Sequence, residues 1–317
     1  MEKKYKNGYI GLMNENADKI EELKTAVVAI VGRPSSGKST FLNTACQEPV
    51  SIVSPVPQTT RNAIKGIVNT SYGQLIFIDT PGYHDSGKKF NLRLKTVTEN
   101  QLDGTDCVLY IIDATRIPGE EERNVAALVL PYSQKTVVAV NKTDDSGADT
   151  ARAVEFIHGS LPEIPDSRII GISALNDEGI NDVLLALYSL SPVAPPMYPE
   201  ELATDQNLSF RIAEIIRGEA INRLSDEIPH ALYVDVADAE KRNDGKKLWV
   251  RAFLCVERES QKGIVIGKGA SKIKEIRTAA QNQLNKVFTY KVELDLQVKV
   301  DKNWRQHDYT LNRLVPR

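Results

Sequence analysis

The chain has 317 residues, of which 26% are charged and 41% hydrophobic, and its formal net charge is −2. This composition is typical of globular proteins and argues against disorder, collagen and a bare coiled coil. No apolar run reaches the ~18–20 residues that span a bilayer, the polar N-terminus has no secretory signal, and three distant cysteines fit neither a disulfide framework nor a zinc knuckle. We therefore expect a cytoplasmic protein of two domains.

Charge is unevenly distributed along the chain. From Gln261 to Arg317 there are 12 basic and 5 acidic residues, whereas the remaining residues have 28 basic and 37 acidic groups. A basic segment on an acidic body favours a polyanionic partner for that segment. A solvated lysine-rich helix face is the alternative.

Residues 25–191, after a polar extension at 1–24, alternate short apolar runs with amphipathic stretches. The runs are AVVAIV (26–31), QLIFID (74–79), CVLYIID (107–113), TVVAVN (136–141) and RIIGIS (168–173). Their nearly continuous, β-branched character predicts parallel strands covered on both faces. With helical segments between them, the pattern predicts a doubly wound α/β domain.

Residues 191–200 contain four prolines, SPVAPPMYPE, and predict a semi-rigid linker that we place at 192–204. Beyond it, residues 205–317 follow a different pattern. A helix (NLSFRIAEIIRGEAINRLS) precedes the strands HALYVDV and KLWVRAFLCVE, then a basic helix from about Gly269 to Phe288 and the strand VELDLQVKV. This order predicts a smaller α+β domain with three strands.

The segment GRPSSGKST (32–40) satisfies the pattern G-x-x-x-x-G-K-[ST] and directly follows the first strand. Glycines at 32 and 37 would let consecutive N–H groups point at phosphates, and the next helix adds its positive dipole end. Lys38 would reach the β- and γ-phosphates and supply transition-state charge, while the Ser39 hydroxyl would hold Mg²⁺. The context predicts a phosphate-binding loop rather than a chance glycine-rich turn.

Two later motifs select guanine. NKTD (141–144) and SAL (173–175) each end an apolar run. Asp144 can accept hydrogen bonds from guanine N1–H and N2–H₂, donors that adenine lacks, so adenine would leave this carboxylate unpaired. Asn141 would brace the phosphate loop and the base, Lys142 would cover the base, and the Ala174 N–H would meet guanine O6.

A further motif, DTPG (79–82), ends the second run. Asp79 would bind Mg²⁺ mostly through water, and the Gly82 N–H would sense the γ-phosphate. In PQTTR (57–61) we assign Thr60 as a metal ligand, with Thr59 in reserve. Tyr83 stands where Ras-type enzymes have a water-orienting Gln, so we expect slow hydrolysis and assign no catalytic base.

These assignments give three sets of site residues. The GTP-binding set is Gly32, Arg33, Pro34, Ser35, Ser36, Gly37, Lys38, Ser39, Thr40, Asp79, Thr80, Pro81, Gly82, Tyr83, Asn141, Lys142, Asp144, Ser173, Ala174 and Leu175. The metal set is Ser39, Thr60 and Asp79. The RNA-binding set, for the reasons that follow, is Lys262, Ile264, Ile266, Gly267, Lys268, Gly269, Ala270, Lys272, Ile273 and Lys274.

The segment VIGKGASKIKEI (265–276) resembles the V-I-G-x-x-G-x-x-I core of KH domains. In that module a glycine loop clamps the backbone of a single strand of about four nucleotides. The lysines would contribute electrostatic attraction and the isoleucines an apolar floor beneath the bases. Ala270 replaces the expected glycine at the fourth loop position, and its methyl group should narrow the approach of the backbone.

From about Lys24 to its end the chain resembles the Era family of GTPases. The resemblance rests on GRPSSGKSTFLN, QTTR, DTPG, NKTD and SAL, and on VERESQKGIVIGKGASKIKEI (256–276) and VKVDKNW (298–304). It implies a type II KH domain that holds the 3′ end of 16S rRNA during small ribosomal subunit maturation. It also implies GTP, GDP and Mg²⁺ as ligands and peripheral association with the inner membrane, and we expect a monomer. Ser35 replaces an Asn that helps to hold a monovalent cation, so potassium dependence is doubtful.

Three functions remain open at this stage. The first is a slow GTP-hydrolysing switch coupled to RNA release, and the second is a constitutive RNA-binding scaffold with little turnover. The third is an ATP-using kinase or ATPase, which the assignment of Asp144 disfavours.

Overall fold

The computed structural model describes residues 23–54, 64–79, 102–225 and 227–304. The strands of the first domain are β1 (Lys24–Val31), β2 (Ile64–Thr70), β3 (Gly73–Asp79), β4 (Cys107–Asp113), β5 (Thr136–Asn141) and β6 (Ile169–Ile172). Its helices are α1 (Lys38–Cys46), α2 (Glu120–Val129), α3 (Thr150–Ser160) and α4 (Ile180–Leu190). Short 3₁₀ turns cover Leu130–Lys135 and Asp166–Arg168.

The described strands of this domain form one six-stranded sheet in the order β2-β3-β1-β4-β5-β6. The predicted doubly wound α/β domain is confirmed, and all five predicted runs are parallel strands. In β3, β4 and β5 every residue is buried, because two apolar cores cover opposite faces of the sheet. The carboxyl ends of parallel strands lie on the same side of a sheet. Asp79, Asp113 and Asn141, the last residues of β3, β4 and β5, therefore lie near one another there.

The sequence reading missed the edge strand β2, which pairs antiparallel to β3. Its Gly66 does not mark a turn. A Cβ atom at this position would lie 2.4 Å from Leu42 Cδ1 and 2.7 Å from Cys46 Sγ. The glycine lets α1 pack closely against the strand. Because β2 is antiparallel to β3, the sheet is mixed rather than parallel throughout.

The proline-rich segment lies along the sheet, and we call residues 192–205 the strap. Val193 forms a bridge with Lys24, and the N–H groups of Met197 and Tyr198 both donate to Gln74 Oε1 over 2.9 Å. Further along, the Ile67 N–H donates to the carbonyl oxygen of Ala203 over 2.8 Å. The segment predicted as a linker is therefore hydrogen-bonded to the first domain.

The second domain begins with α5 (Leu208–Ile221), capped by Asn207, whose side chain accepts from the Phe210 N–H over 2.8 Å. The remaining elements are α6 (Ile228–Ala231), β7 (Tyr233–Arg242), β8 (Lys247–Val256), α7 (Glu259–Ile266), α8 (Ser271–Val287) and β9 (Lys291–Val300). A 3₁₀ turn, Lys268–Ala270, separates α7 from α8.

The three strands of this domain are ordered β7-β8-β9, with β7 antiparallel and β9 parallel to β8. Alternate residues of β8, including Leu248, Val250 and Leu254, are buried against α5 and α8 and form one core. Trp304 is fully buried beyond β9, where its indole N–H donates to the carbonyl oxygen of Ala231 over 2.8 Å. The predicted α+β domain is confirmed.

Candidate nucleotide and RNA sites

The glycine-rich loop between β1 and α1 has a shape that other residue types cannot adopt. Gly37 has φ 102°, and a Cβ atom there would lie 2.0 Å from Asn141 Nδ2. A Cβ atom on Gly32 would lie 2.4 Å from the carbonyl oxygen of Ile111. The buried Ser36 hydroxyl has no hydrogen-bond partner within the described ranges, which leaves it available to an anion.

Lys38 is buried in this loop and donates to two loop carbonyl oxygens. Its Nζ lies 3.0 Å from the oxygen of Gly32 and 2.7 Å from that of Arg33. Burial lowers the pKa of Lys38 to about 8, although the charges of Asp79 and Glu122 act in the opposite direction. A phosphate beside this ammonium would favour its charged form, because an opposite charge raises the pKa of a lysine.

An ion pair lies under the loop and was not found from the sequence. Arg33 Nε is 3.1 Å from Glu122 Oε2, and both side chains are buried. Tyr110 donates from its hydroxyl to Glu122 Oε1 over 2.6 Å, and burial raises the pKa of Glu122. Removing either charge would leave the other buried without compensation, so this pair fixes the loop to α2.

Oxygen atoms suited to Mg²⁺ meet at the end of β3. The Ser39 hydroxyl donates to Asp79 Oδ2 over 2.7 Å, and the Ser51 hydroxyl donates to the same oxygen over 2.8 Å. In the described part of the chain no cluster of three or more His, Cys, Asp or Glu residues is arranged to hold a metal. This fits Mg²⁺, which uses one or two carboxylates together with substrate phosphates.

Several predicted residues lie outside the described residues. They are Thr60, Thr80, Pro81, Gly82 and Tyr83. Their assignments stay predictions.

Asn141 joins the glycine-rich loop to the SAL segment (173–175), which is predicted to meet the base. Its Nδ2 donates to the carbonyl oxygen of Ser36 over 2.8 Å, and its Oδ1 accepts from the Ala174 N–H over 3.0 Å. We expected the Ala174 N–H to face guanine O6, whereas here it binds Asn141. Thr44 of α1 also donates to the carbonyl oxygen of Ala174 over 2.7 Å, so three motifs form one connected unit.

Asp113, the last residue of β4, holds Lys142 in place. The Lys142 Nζ donates to Asp113 Oδ2 over 2.6 Å. Burial acts to raise the pKa of Asp113, but hydrogen bonds from Lys142 and Thr115 keep it below its ordinary value. Lys142 itself has φ 68°, in the left-handed region. The position of Asp113 at the end of an apolar run could have indicated its role, since the neighbouring strands end in assigned residues.

The remaining predicted nucleotide residues lie around this edge. Asp144 and Leu175 are exposed, whereas Ser173 is buried and its hydroxyl oxygen accepts from the Asn176 N–H over 3.2 Å. Pro34, Ser35 and Thr40 are half-buried. The exposed Asp144 carboxylate is therefore accessible to a base.

The second glycine-rich loop, Gly267–Ala270, connects α7 to α8 at the protein surface. Gly267, Gly269 and Ala270 have φ 74°, 60° and 59°. Ala270 carries a Cβ atom in the left-handed region, where such a residue is strained, so its backbone conformation costs more here than that of a glycine would. A bound strand could approach the exposed main chain of residues 268–270.

Side chains around this loop are accessible in different degrees. Lys268 and Lys274 are exposed, whereas Lys262 and Lys272 are half-buried, and Lys272 lies 2.9 Å from Glu275. The Ile264 side chain is 55% exposed, which is unusual for isoleucine. Ile266 and Ile273 are half-buried. Lysines and an accessible apolar residue thus lie beside the loop.

Comparison with known proteins matches both domains. Residues 27–142 match the family model described as a 50S ribosome-binding GTPase, and residues 227–305 match the model of the KH domain. GTPase Era of Treponema denticola is 54% identical over 292 residues, which cover 92% of this chain and 99% of that protein. The chain belongs to the Era family of GTPases.

Other Era proteins extend the match. GTPase Era of Borreliella afzelii is 42% identical over 293 residues, covering 92% of this chain and all of that relative. A crystal structure of an Aquifex aeolicus Era variant bound to GDP·AlF₄⁻ has a TM-score of 0.86 and 30% identity. The structure of Era in complex with MgGDPNP and nucleotides 1506–1542 of 16S ribosomal RNA also has a TM-score of 0.86 and 30% identity. Each of the two matches covers 92% of this chain and 98% of the chain in the solved structure.

The Era resemblance predicted from the motifs is thereby confirmed, as is the order of GTPase and KH domains. Among the described residues, no helix has the length and hydropathy needed to cross a bilayer.

Proposed function

We propose that this Era GTPase hydrolyses GTP with Mg²⁺ and binds the single-stranded 3′ end of 16S rRNA through its KH domain during maturation of the small ribosomal subunit. The observation that carries the proposal is the double hydrogen bond of Asn141, which connects the phosphate loop to the loop of Ala174. Asp144 follows on the same NKTD motif with an accessible carboxylate.

The chain's own groups supply binding and charge. Lys38 would place a buried ammonium against the β- and γ-phosphates, and this charge would stabilise the transferring phosphoryl group. The Ser39 hydroxyl and the Asp79 carboxylate would hold Mg²⁺, which when bound neutralises charge on the phosphate oxygens. Because position 83 is Tyr, hydrolysis is expected to be slow until another group positions the water.

The RNA would bind at the Gly267–Ala270 loop. Its main chain is exposed, and the exposed Lys268 and Lys274 would attract phosphates, while Ile264 would contact bases. The structure of Era with MgGDPNP and nucleotides 1506–1542 supports the choice of RNA. The cytoplasmic and peripheral-membrane location, the monomeric state and the doubtful potassium dependence stay predictions.

Base selection is tested by competition of GTP and ATP for one fluorescent guanine nucleotide. We expect GTP to compete more than about a hundredfold better than ATP, because adenine leaves Asp144 unpaired. Asp144→Asn should shift the preference toward xanthine nucleotides. Asp145→Asn is the matched control, since Asn at 145 can still accept from the Gly147 N–H. Equal competition by ATP would refute the assignment.

The RNA partner is tested by crosslinking in cell extract and sequencing the attached RNA. Recovery of the 3′ end of small-subunit rRNA is expected. RNA affinity is then compared between the GTP-bound and GDP-bound protein. Equal affinities would refute the switch and favour the constitutive scaffold, in which nucleotide and RNA bind independently.

A further inference from the structure

Ser51 lies in the segment after α1 and contacts the metal-binding carboxylate. Its side chain is buried, and its hydroxyl donates to Asp79 Oδ2 over 2.8 Å. The same oxygen accepts from Ser39 over 2.7 Å, so two serines from different segments hold one carboxylate oxygen. A hydrogen bond to a charged acceptor is about twice as strong as one between neutral groups. Ser51 therefore restricts the orientation of the Asp79 carboxylate.

The main chain around Ser51 is tied to α1. Asn43 Nδ2 donates to the carbonyl oxygen of Ser51 over 2.9 Å, and Asn43 Oδ1 accepts from the N–H groups of Val50 and Ser51 over 3.0 and 2.8 Å. Asn43 lies about one helical turn after Ser39. The first turn of α1 is thus connected to the Ser51 segment in two ways. The hydroxyls of Ser39 and Ser51 share one Asp79 oxygen, and Asn43 binds the main chain of Val50 and Ser51.

The other side of this segment contacts the KH domain and Gln206, the residue that follows the strap. Gln206 Nε2 donates to the carbonyl oxygen of Val50 over 2.9 Å. Ile52 is buried against Gly218 of α5, where a Cβ atom would lie 3.3 Å from Ile52 Cγ2. Arg211 of the same helix lies 2.7 Å from Glu48. Residues 48–52 therefore contact both the metal-binding edge and α5.

A solvent-open cleft of about 200 Å³ lies between the segment and α5, and its lining includes Ser51, Ile52, Gln206 and Glu214. The segment and α5 therefore touch at particular side chains, with an accessible space beside them.

We infer that Ser51 is a positioning residue that orients the Asp79 carboxylate for Mg²⁺ and that couples the nucleotide site to α5 of the KH domain. The inference rests on the proposed function, since it assigns the residues through which GTP would alter RNA affinity. Coupling of this kind requires that the bound nucleotide favours one arrangement of residues 48–52 over another.

The test uses the full chain with Ser51→Ala. The Mg²⁺ concentration that gives half-maximal affinity for a fluorescent, non-hydrolysable GTP analogue is measured by titration. We expect it to rise about tenfold, the change expected when one hydrogen bond to a charged group is lost. The matched control is Ser189→Ala, whose hydroxyl donates only to the carbonyl oxygen of Ala186 in α4 among its recorded contacts. An unchanged Mg²⁺ midpoint in Ser51→Ala would overturn the positioning role.

Coupling is measured as the ratio of RNA affinities in the GTP-bound and GDP-bound protein, with saturating nucleotide and Mg²⁺. Ser51→Ala should bring this ratio toward one. Gln206→Ala removes the contact to Val50 but leaves the serine in place, so it should lower the ratio without changing the Mg²⁺ midpoint. A wild-type ratio in both variants would overturn the coupling role.

Failure of the proposed function gives a different result. If the unsubstituted protein bound RNA equally with GTP and GDP, the switch itself would be refuted. The Mg²⁺ titration of Ser51→Ala would still decide the positioning of Asp79.

Discussion

Each of the two domains has a glycine-rich loop, predicted to meet phosphates, but the loops are shaped in different ways. In the GTPase domain, ideal Cβ atoms on Gly32 and Gly37 would collide with Ile111 and Asn141 at 2.4 and 2.0 Å. In the KH domain, a Cβ atom on Gly269 would meet no heavy atom within 4 Å, although the residue has φ 60°. Neighbouring atoms thus exclude a side chain at Gly32 and Gly37, and also at Gly267, where a Cβ atom would lie 2.8 Å from Lys272 Cβ. At Gly269 only the backbone conformation favours glycine.

This difference decides what a substitution does. A collision with a buried backbone or amide group displaces parts of the site, and the effect spreads to everything those groups hold. A left-handed residue in open space adds only local strain of about 1–2 kcal/mol. We therefore expect large, site-wide effects at Gly32 and Gly37 and small, local effects at Gly269 and Ala270.

The largest effect is expected for Gly37→Ala. The new methyl would displace the Asn141 amide and so break its hydrogen bonds to Ser36 and Ala174. We expect GTP affinity to fall by more than about a hundredfold, because two hydrogen bonds and the loop conformation are lost together. Binding of a fluorescent nucleotide measures it, with Gly104→Ala as control since no atom lies near that position. Near-normal binding would show that the loop can open around a side chain.

The next largest effect is a pH dependence of GTP affinity caused by the buried Lys38. Because the pKa of Lys38 is about 8 without phosphate, nucleotide binding should raise it and take up a proton. The affinity for Mg²⁺-saturated GTP should be constant below about pH 7 and fall up to about tenfold per pH unit above 8. Calorimetry at pH 8 in buffers of different ionisation enthalpy should show an uptake of about half a proton. No uptake would contradict the lowered pKa.

Lys268, being exposed, should contribute through its charge alone. Lys268→Ala is expected to weaken RNA binding a few-fold and to reduce the slope of log affinity against log salt by about 0.7. GTP affinity should not change. The control is Lys246→Ala, an exposed lysine in the turn before β8. A salt slope equal to that of the unsubstituted protein would mean that Lys268 touches no phosphate.

The smallest effect is expected for Ala270→Gly, which relieves the left-handed strain but adds freedom to the unfolded chain. The net stabilisation should be at most about 1 kcal/mol in urea unfolding. Gly269→Ala should change stability in the opposite sense. If RNA affinity rises more than stability accounts for, the methyl group itself obstructs the strand. Unchanged stability in both variants would refute the contrast between the two loops.

The parallel strands β3, β4 and β5 could be predicted because both of their faces are buried, so that their apolar runs are continuous. No strand was predicted at β2, whose sequence IKGIVNT is less apolar than the parallel strands and includes Gly66, which lies against Leu42 and Cys46 of α1. The strap was predicted as a linker because of its prolines. Prolines do exclude helix and central strand, but the N–H groups of Met197 and Tyr198 between them still bind Gln74.

At the nucleotide site, motifs with fixed spacing predicted the residues that would face the ligand. The supporting residues were missed because their partners are distant in sequence. Ser51 and Asp79 are 28 positions apart, and Arg33 and Glu122 meet only after α2 packs beside the loop. No local pattern distinguishes Ser51 or Glu122 from a surface residue.

The strap links the sheet of the first domain to α5 of the second. Its hydrogen bonds fasten it to β2 and β3 as far as Asp205, whose carboxylate lies 3.0 Å from Lys65. Beyond Asp205, Gln206 and Asn207 connect the strap to α5. The strand that anchors the strap through Gln74 also ends at Asp79, so a displacement of the strap would act on the strand that carries the predicted metal-binding carboxylate.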